Sequence, residues 1–199
     1  MDKTFWNERF DEPGFMYGDQ PNDFLKAQSN LLKPKGRILC LAEGEGRNAV
    51  FLARNGFNVT SVDFSESGLR KTRELAKKHG VSVRTDCSNL DHYEIEPNAW
   101  DSIIMIFGHF DEALRTSLYP RISKGLKKGG TLLMEVYSKE QLSFGTGGPK
   151  SLSYLYNKQE LMEAFADFNY ILVQNITREI NEGVYHKGLS ATLQVQGNK

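Results

Sequence analysis

The segment Ile38-Leu39-Cys40-Leu41-Ala42-Glu43-Gly44-Glu45-Gly46-Arg47-Asn48-Ala49 joins a short apolar run to a helix-forming stretch through two glycines one residue apart. Glycine carries no Cβ, so the backbone here turns sharply and admits a ligand close to the main chain. A second apolar run follows and ends at Asp63, 17 residues after Gly46, with Phe64 next to it. A carboxylate at the tip of a second strand is placed to accept from both hydroxyls of a ribose. Together these features form the layout of a nucleotide-type cofactor site at the carboxyl edge of a parallel sheet. The structural alternatives are an ordinary tight turn at the glycines and, at Asp63, a helix cap before Ser65-Glu66.

The residues between the glycines bear on which cofactor fits. Gly44-x-Gly46-x-x-Ala49 satisfies a dinucleotide fingerprint, whose pyrophosphate would lie against the loop and the helix N-terminus. Glu43 and Glu45 would then face a doubly negative ligand, and like charges roughly 4–6 Å apart cost about a kcal/mol or more each. S-adenosylmethionine has no phosphate. It carries a sulfonium and an ammonium against one carboxylate, and an acidic loop suits it. The contacts expected from this loop are Ala42, Glu43, Gly44, Glu45, Gly46 and Asn48, with Asp63 and Phe64 beyond them.

Four segments extend the pattern: Trp6-Asn7-Glu8-Arg9-Phe10 with Tyr17-Gly18-Asp19-Gln20-Pro21-Asn22-Asp23-Phe24-Leu25; the glycine loop; Asp63; and Gly145-Thr146-Gly147-Gly148-Pro149-Lys150. On these the chain resembles the class I S-adenosylmethionine-dependent methyltransferases, and more narrowly the small bacterial group that includes the tellurite-resistance and thiopurine methyltransferases. The resemblance implies a seven-stranded Rossmann-like sheet whose last strand is inserted antiparallel. It also implies an N-terminal segment over the cofactor, with Tyr17 near its methionine portion. The family loop opens with an acidic residue and has three glycines; here Cys40 stands at the acidic position and Ala42 at the first glycine, leaving Glu43 and Glu45 as substitutes.

The elements that must position these groups follow from alternating apolar runs and helical stretches. Arg37–Ala42, Phe57–Val62, Val81–Thr85, Asp101–Phe107 and Thr131–Tyr137 are predicted strands, and 48–55, 67–79 and 111–126 the helices between them. Helix 158–168 then leads to strands 170–179 and 185–196 around Asn181-Glu182-Gly183, an antiparallel hairpin. The expected architecture is a single α/β domain over 1–199: a helical lid (1–35), a cofactor-binding core (36–137), and an acceptor-side loop, helix and hairpin (138–199). The sheet is expected to be mostly parallel, with helices on both faces.

Composition bounds the partners. Lysine plus arginine equals aspartate plus glutamate at 25 each, so no global field favours nucleic acid or an anionic membrane. No apolar signal core or membrane-length run occurs. The two cysteines, Cys40 in a strand and Cys87 in a turn, make no disulfide framework or metal site, and a cytoplasmic setting is the simplest expectation. The oligomeric state is not legible.

The remaining candidates flank the core. By resemblance an acidic residue after the third strand meets the adenine amine; Asp86-Cys87 and Asn89-Leu90 compete, and the spacing to Trp100-Asp101 favours Asn89 and Leu90. Phe107, Gly108 and His109 follow the fourth strand, where ligands of open sheets gather, and His109 would orient or deprotonate an acceptor. Gly147, Gly148 and Pro149, with Arg178 and His186, are the candidates for the acceptor pocket. No nucleophile–base pair stands out, which suits an already ionised acceptor such as a thiolate or a metalloid oxyanion (tellurite or selenite). The alternatives are a nicotinamide-dependent oxidoreductase and a catalytically silent cofactor-binding module.

Overall fold

In a computed structural model, which describes residues 2–199, seven strands form one sheet in the order β3-β2-β1-β4-β5-β7-β6. The strands are β1 (Arg37–Leu41), β2 (Asn58–Asp63), β3 (Arg84–Cys87), β4 (Trp100–Ile106), β5 (Leu126–Tyr137), β6 (Tyr170–Asn181) and β7 (Lys187–Asn198). The first five run parallel, and β7 lies antiparallel between β5 and β6. This is the mixed sheet with a terminal hairpin that the sequence implies.

Alternation along the central strands sorts the core onto two faces. Leu39 and Leu41 of β1, with Ile103 and Met105 of β4, pack under α5 (Glu112–Gly125) and α6 (Lys158–Ala164). Ile38 and Cys40, with Ile104 and Ile106, pack under α3 (Arg47–Arg54), α4 (Glu66–Lys78) and α2 (Asp23–Gln28). Because both faces are covered, β1 is apolar from Ile38 to Leu41 and β4 from Ile103 to Ile106.

The helix starts are fixed by polar caps. The Ser65 hydroxyl accepts from the Gly68 amide at 3.2 Å, Asp111 from Leu114 at 3.0 Å, and Asn22 from Leu25 at 2.9 Å. Helix α1 (Lys3–Asp11) begins at Asp2, which caps the Phe5 amide.

Helix α6 ends at Ala164 instead of residue 168, and two strand starts differ from expectation by three residues or more. Strand β3 starts three residues late, because Val81 closes the turn after α4 by donating to the Ala76 carbonyl at 3.0 Å. Strand β5 starts at Leu126 instead of Thr131: Leu126 already pairs with Trp100, and the register slips before Ser102 and Thr131 pair. Lys127, within this early part of β5, bonds Asp101 at 3.0 Å.

No helix among the described residues is long and apolar enough to cross a membrane.

Candidate cofactor and acceptor site

The direction of crossover reverses between β1 and β4, and such a switch point opens a crevice at the carboxyl ends of the strands. A cavity of about 440 Å³ lies there, floored by the loop after β1 and the tip of β2, and roofed by Trp6 and Phe10 of α1. Those two rings, four residues apart on α1, stack at 5.3 Å and face the ligand space.

The loop after β1 depends on left-handed backbone. Gly44 has φ 61°, Gly46 has φ 85°, and Ala42 between strand and loop has φ 51°. A Cβ on Gly44 would stand 2.9 Å from Phe10 Cζ, and one on Gly46 would stand 2.5 Å from Thr72 Oγ1. The glycines therefore serve close packing and backbone shape together. Ala42 carries the cost of a Cβ in this region, about 1–2 kcal/mol, partly offset by its stiffer unfolded chain. Ala42→Gly is accordingly expected to stabilise the fold by about 0.5–1 kcal/mol, read as a rise in the urea midpoint at unchanged slope.

Asp63 ends β2 and is buried. Its Oδ2 accepts from the Gly44 amide at 2.9 Å and its Oδ1 from the Ser65 amide at 2.8 Å. Each carboxylate oxygen keeps a second lone pair, so the group ties the loop to the strand and still faces the cavity with acceptor capacity. Burial pushes its pKa up to about 6, against the pull of the Ser65, Gly44 and Phe64 amides.

The two glutamates of the loop part company. Glu43 Oε1 accepts from the Asn48 and Ala49 amides at 2.9 and 2.8 Å, so Glu43 caps α3 from the cavity wall. Burial pushes it up to about 7. Glu45 turns to the lid, accepting from the Met16 and Tyr17 amides at 3.1 Å each and from Lys71 at 2.9 Å. Cys40, at the family's acidic position, is fully buried in β1, and burial holds its thiol neutral.

At one end of the cavity Phe64, Cys87, Ser88, Asn89 and Leu90 form the wall, and Asp86 is not part of it. Asn89 is arranged by Asp91, whose amide donates to Asn89 Oδ1 at 3.1 Å.

At the other end stand Tyr17, Phe107, Gly108, His109, Tyr154 and His186. Phe107 has φ 55°, a conformation that bulky residues hold only when their surroundings impose it. Its ring lies 4.4 Å from that of His186, and Tyr17 lies 4.6 Å from His186 on another side. His109 Nδ1 lies 3.0 Å from the Tyr154 carbonyl, so the proton sits on Nδ1, while the Tyr137 amide points at Nε2 from 3.5 Å. Burial lowers His109 to about 4. His186 is pushed well below neutrality by burial and then by Arg47, His109, Arg178 and Arg9, and its buried Nδ1 has no hydrogen-bond partner among the described residues. Both imidazoles are thus neutral at pH 7. The Gly108–Phe110 and Ser153–Tyr154 segments are held from behind: Arg115 donates to the Phe110 and Ser153 carbonyls at 2.7 Å each, and the Tyr156 hydroxyl donates to the Gly108 carbonyl at 2.8 Å.

Four candidates for the acceptor pocket lie apart from the cavity wall. Gly147 and Gly148 back onto Tyr137, with Gln141 donating to the Gly147 carbonyl at 2.9 Å, and Pro149 follows them in the same loop. Arg178 is drawn away by charge: it bonds Glu135 at 3.0 and 2.8 Å and Glu182 at 2.8 Å. Sequence reasoning had not singled out Arg47, which lines the cavity, pairs with Glu182 at 2.6 Å, and leaves Nη1 buried without a partner among the described residues. Its one sequence signal is position, a cation directly after Gly46 on the first turn of a buried helix.

The residues fit a cofactor with a ribose and no phosphate. The loop presents an acid where a pyrophosphate would lie, Gly44 and Gly46 leave room a Cβ would fill, and one guanidinium nitrogen waits for an acceptor. A family model described as a methyltransferase domain matches residues 38–130. The probable S-adenosyl-L-methionine-dependent methyltransferase TehB of Haemophilus influenzae is 23% identical over 138 residues, 68% of this chain and 46% of that protein. The tRNA (uracil(54)-C(5))-methyltransferase of Pyrococcus horikoshii is 27% identical over 63% of this chain and 31% of its own length. The chain thus spans less than half of these curated relatives. Among solved structures, TehB of Haemophilus influenzae superposes with TM-score 0.70 at 17% identity, covering 99% of this chain and 66% of that one. Phosphoethanolamine N-methyltransferase 2 of Haemonchus contortus, solved with S-adenosyl-L-methionine, has TM-score 0.70 at 20% identity over 97% of this chain and 56% of its own. Residues 38–130 thus match a methyltransferase domain, and the chain is similar in sequence and fold to the S-adenosyl-L-methionine-dependent methyltransferase TehB.

Proposed function

We propose that the chain transfers the methyl group of S-adenosylmethionine to a small, already ionised acceptor, a thiolate or a metalloid oxyanion. The observation that carries this reading is the state of the two histidines at the acceptor end. His109 spends its proton on the Tyr154 carbonyl and is held near pKa 4, and His186 is pushed well below neutrality by burial and by Arg47, His109, Arg178 and Arg9. An amine or alcohol acceptor needs a base tuned near the working pH; a soft anion does not.

When bound, the cofactor supplies an electrophilic methyl on a sulfonium. The chain's part is positioning. In this reading Asp63 accepts from the ribose hydroxyls, while Phe64, Asn89 and Leu90 enclose the adenine. Ala42 to Gly46, Asn48 and Tyr17 surround the methionine portion, with Phe107 and Gly108 closing the wall toward the methyl. The aromatic ring set of Tyr17, Phe107 and His186 keeps water from the transfer path and leaves an opening for the acceptor beside His109 and His186. In-line attack needs the reacting atoms about 3–3.5 Å apart and nearly collinear.

The test is S-adenosylhomocysteine formation from S-adenosylmethionine with thiols, tellurite and selenite, set against amines and alcohols. Turnover confined to the amines or alcohols would overturn the acceptor assignment. Tight binding with no turnover on any acceptor would favour the silent binding module, for which Cys40 and Ala42 in place of the family's acid and glycine are the motivation.

A pH dependence follows. Asp63 and Glu43 both have raised folded pKa values, about 6 and about 7. Their favourable contribution to folding is therefore present at low pH and is lost as pH rises through 6 and 7. Binding works the other way, because hydroxyl and ammonium donors prefer ionised carboxylates. Affinity for S-adenosylhomocysteine is expected to rise from pH 5 to 7, by up to about tenfold per unit per group. Calorimetry on wild type and Asp63→Asn checks this; an equally steep profile in the variant would sink Asp63's share.

A further inference from the structure

We propose that two copies of this chain associate through β6, the outer strand of the sheet, paired antiparallel about a two-fold axis at Gln174. The inference rests on the strand's own geometry and stands apart from the cofactor reading.

Strand β6 closes one side of the sheet and pairs with β7 alone, in an unbroken register from Tyr170 to Asn181. Its outer edge presents a row of main-chain N–H and C=O groups, a template for a further strand. From Tyr170 to Thr177 the only main-chain bonds among the described residues are those to β7. Soluble proteins guard such an edge with charge, proline, a bulge or a very short strand. The run Tyr170-Ile171-Leu172-Val173-Gln174-Asn175-Ile176-Thr177 has no charged residue, proline or glycine, and its register shows no bulge. At the opposite side of the sheet, β3 is only four residues long and carries Arg84 and Asp86. The chain thus protects one edge and leaves the other open. Apolar surface continues beside the open edge: Tyr170 is exposed, and so is Met162 of α6, the helix that packs on β6.

Symmetry identifies the occupant. A two-fold axis normal to the sheet sets an edge strand antiparallel to its own copy and keeps each face on its own side. Side chains alternate along a strand, so the axis must fall on a residue and not between two. With the axis at Gln174, Leu172 stands opposite the second copy's Ile176, and Ile171 opposite its Thr177, each pair occurring twice. Leu172, Ile176 and Ile171 are half-buried in the single chain, and cross-strand apolar and β-branched pairs of this kind stabilise a sheet. From Tyr170 to Arg178 no like charges meet. Placing the axis at Val173 or Asn175 sets Leu172 against Gln174 or against Arg178, whose guanidinium is already committed to Glu135 and Glu182.

Sedimentation velocity on wild type over a wide range of concentration is expected to show a reversible monomer–dimer equilibrium. Gln174→Lys, at an exposed position, sets two cations against each other on the axis and is expected to raise the dimer dissociation constant at least about tenfold. Opposed residues of an antiparallel pair have Cα atoms about 4.5–5.5 Å apart, within the span of about 4.4–6.8 Å that a disulfide bridges. Cys40 is buried and Cys87 lies in β3 at the far side of the sheet. In a Cys87→Ser background, Gln174→Cys is therefore expected to form a covalent dimer with oxidised glutathione. Leu172→Cys, about 13 Å along the strand from its symmetry mate, is expected to form none. Wild type that stays monomeric at every concentration would overturn the proposal, leaving the edge to solvent or to a strand of another protein. A dimer that Gln174→Lys leaves intact, or one in which Leu172→Cys cross-links as readily as Gln174→Cys, would overturn it too by placing the interface elsewhere. Should the lysine variant not fold, the two cysteine variants still decide the axis.

Discussion

Asp63→Ala is expected to raise the dissociation constant for S-adenosylhomocysteine by about 10- to 150-fold, a loss of about 1.5–3 kcal/mol, the range for hydrogen bonds to a charged acceptor. Asp63 holds the Gly44 amide and the Ser65 amide while facing the cavity. In the proposed reading its removal takes away the acceptor of the ribose diol, and it also unties the glycine loop from the end of β2. Asp63→Asn separates the two effects. The amide side chain has one carbonyl oxygen, so it keeps one of the two amide contacts and loses the second acceptor. An intermediate loss of affinity, with the urea midpoint near wild type, is the expected outcome. If Asp63→Ala folds and binds S-adenosylhomocysteine as tightly as wild type, the carboxylate is only a cap for the turn before α4 and the ribose assignment is wrong.

The parts of this molecule that were legible in the sequence are those set by short-range chemistry. Leu39 and Cys40 point to opposite faces because a strand alternates, and both are apolar because both faces are covered. Gly44, Gly46 and Asp63 declared themselves through spacing, since a tight loop and a strand tip allow few other residue types. What stayed hidden depends on pairings far apart in sequence. Arg178 seemed available for a ligand, yet its partners are Glu135, 43 residues away, and Asp23, 155 residues away. Gly147 and Gly148 read as a pocket rim, whereas their space is taken by Tyr137 and the backbone of Tyr185. Glu43 and Glu45 were equivalent by position. Only the N-terminal segment, whose Met16 and Tyr17 amides meet Glu45, tells them apart. His109, the sequence's preferred base, is engaged on both ring nitrogens by backbone groups from Tyr154 and Tyr137.

The larger expected effect on stability belongs to Glu135, which touches no ligand space. It is fully buried near the end of β5 and accepts from Arg178 at 3.0 and 2.8 Å, Asn22 at 2.6 Å, Thr192 at 3.1 Å and Gln194 at 2.8 Å. Asn22 opens α2, Arg178 lies in β6, and Thr192 and Gln194 lie in β7, so one carboxylate gathers the lid and the terminal hairpin onto the parallel sheet. Removing Glu135 breaks a buried ion pair and leaves the Asn22, Thr192 and Gln194 donors without this acceptor, while Arg178 keeps Glu182; breaking a buried pair costs about 3–5 kcal/mol. Against a typical total of about 5–15 kcal/mol, that is about a fifth or more of the stability of an ordinary domain. Glu135→Ala is therefore expected to lower the urea midpoint by about 1–5 M, given slopes of about 1–3 kcal/mol/M. The double variant Glu135→Leu/Arg178→Met replaces the central pair with apolar groups and is expected to recover most of the loss, because desolvation cancels much of what such a pair gains. Losses that simply add in the double variant would mean that the two residues act separately, and that Glu135 secures the hairpin through Thr192 and Gln194 alone.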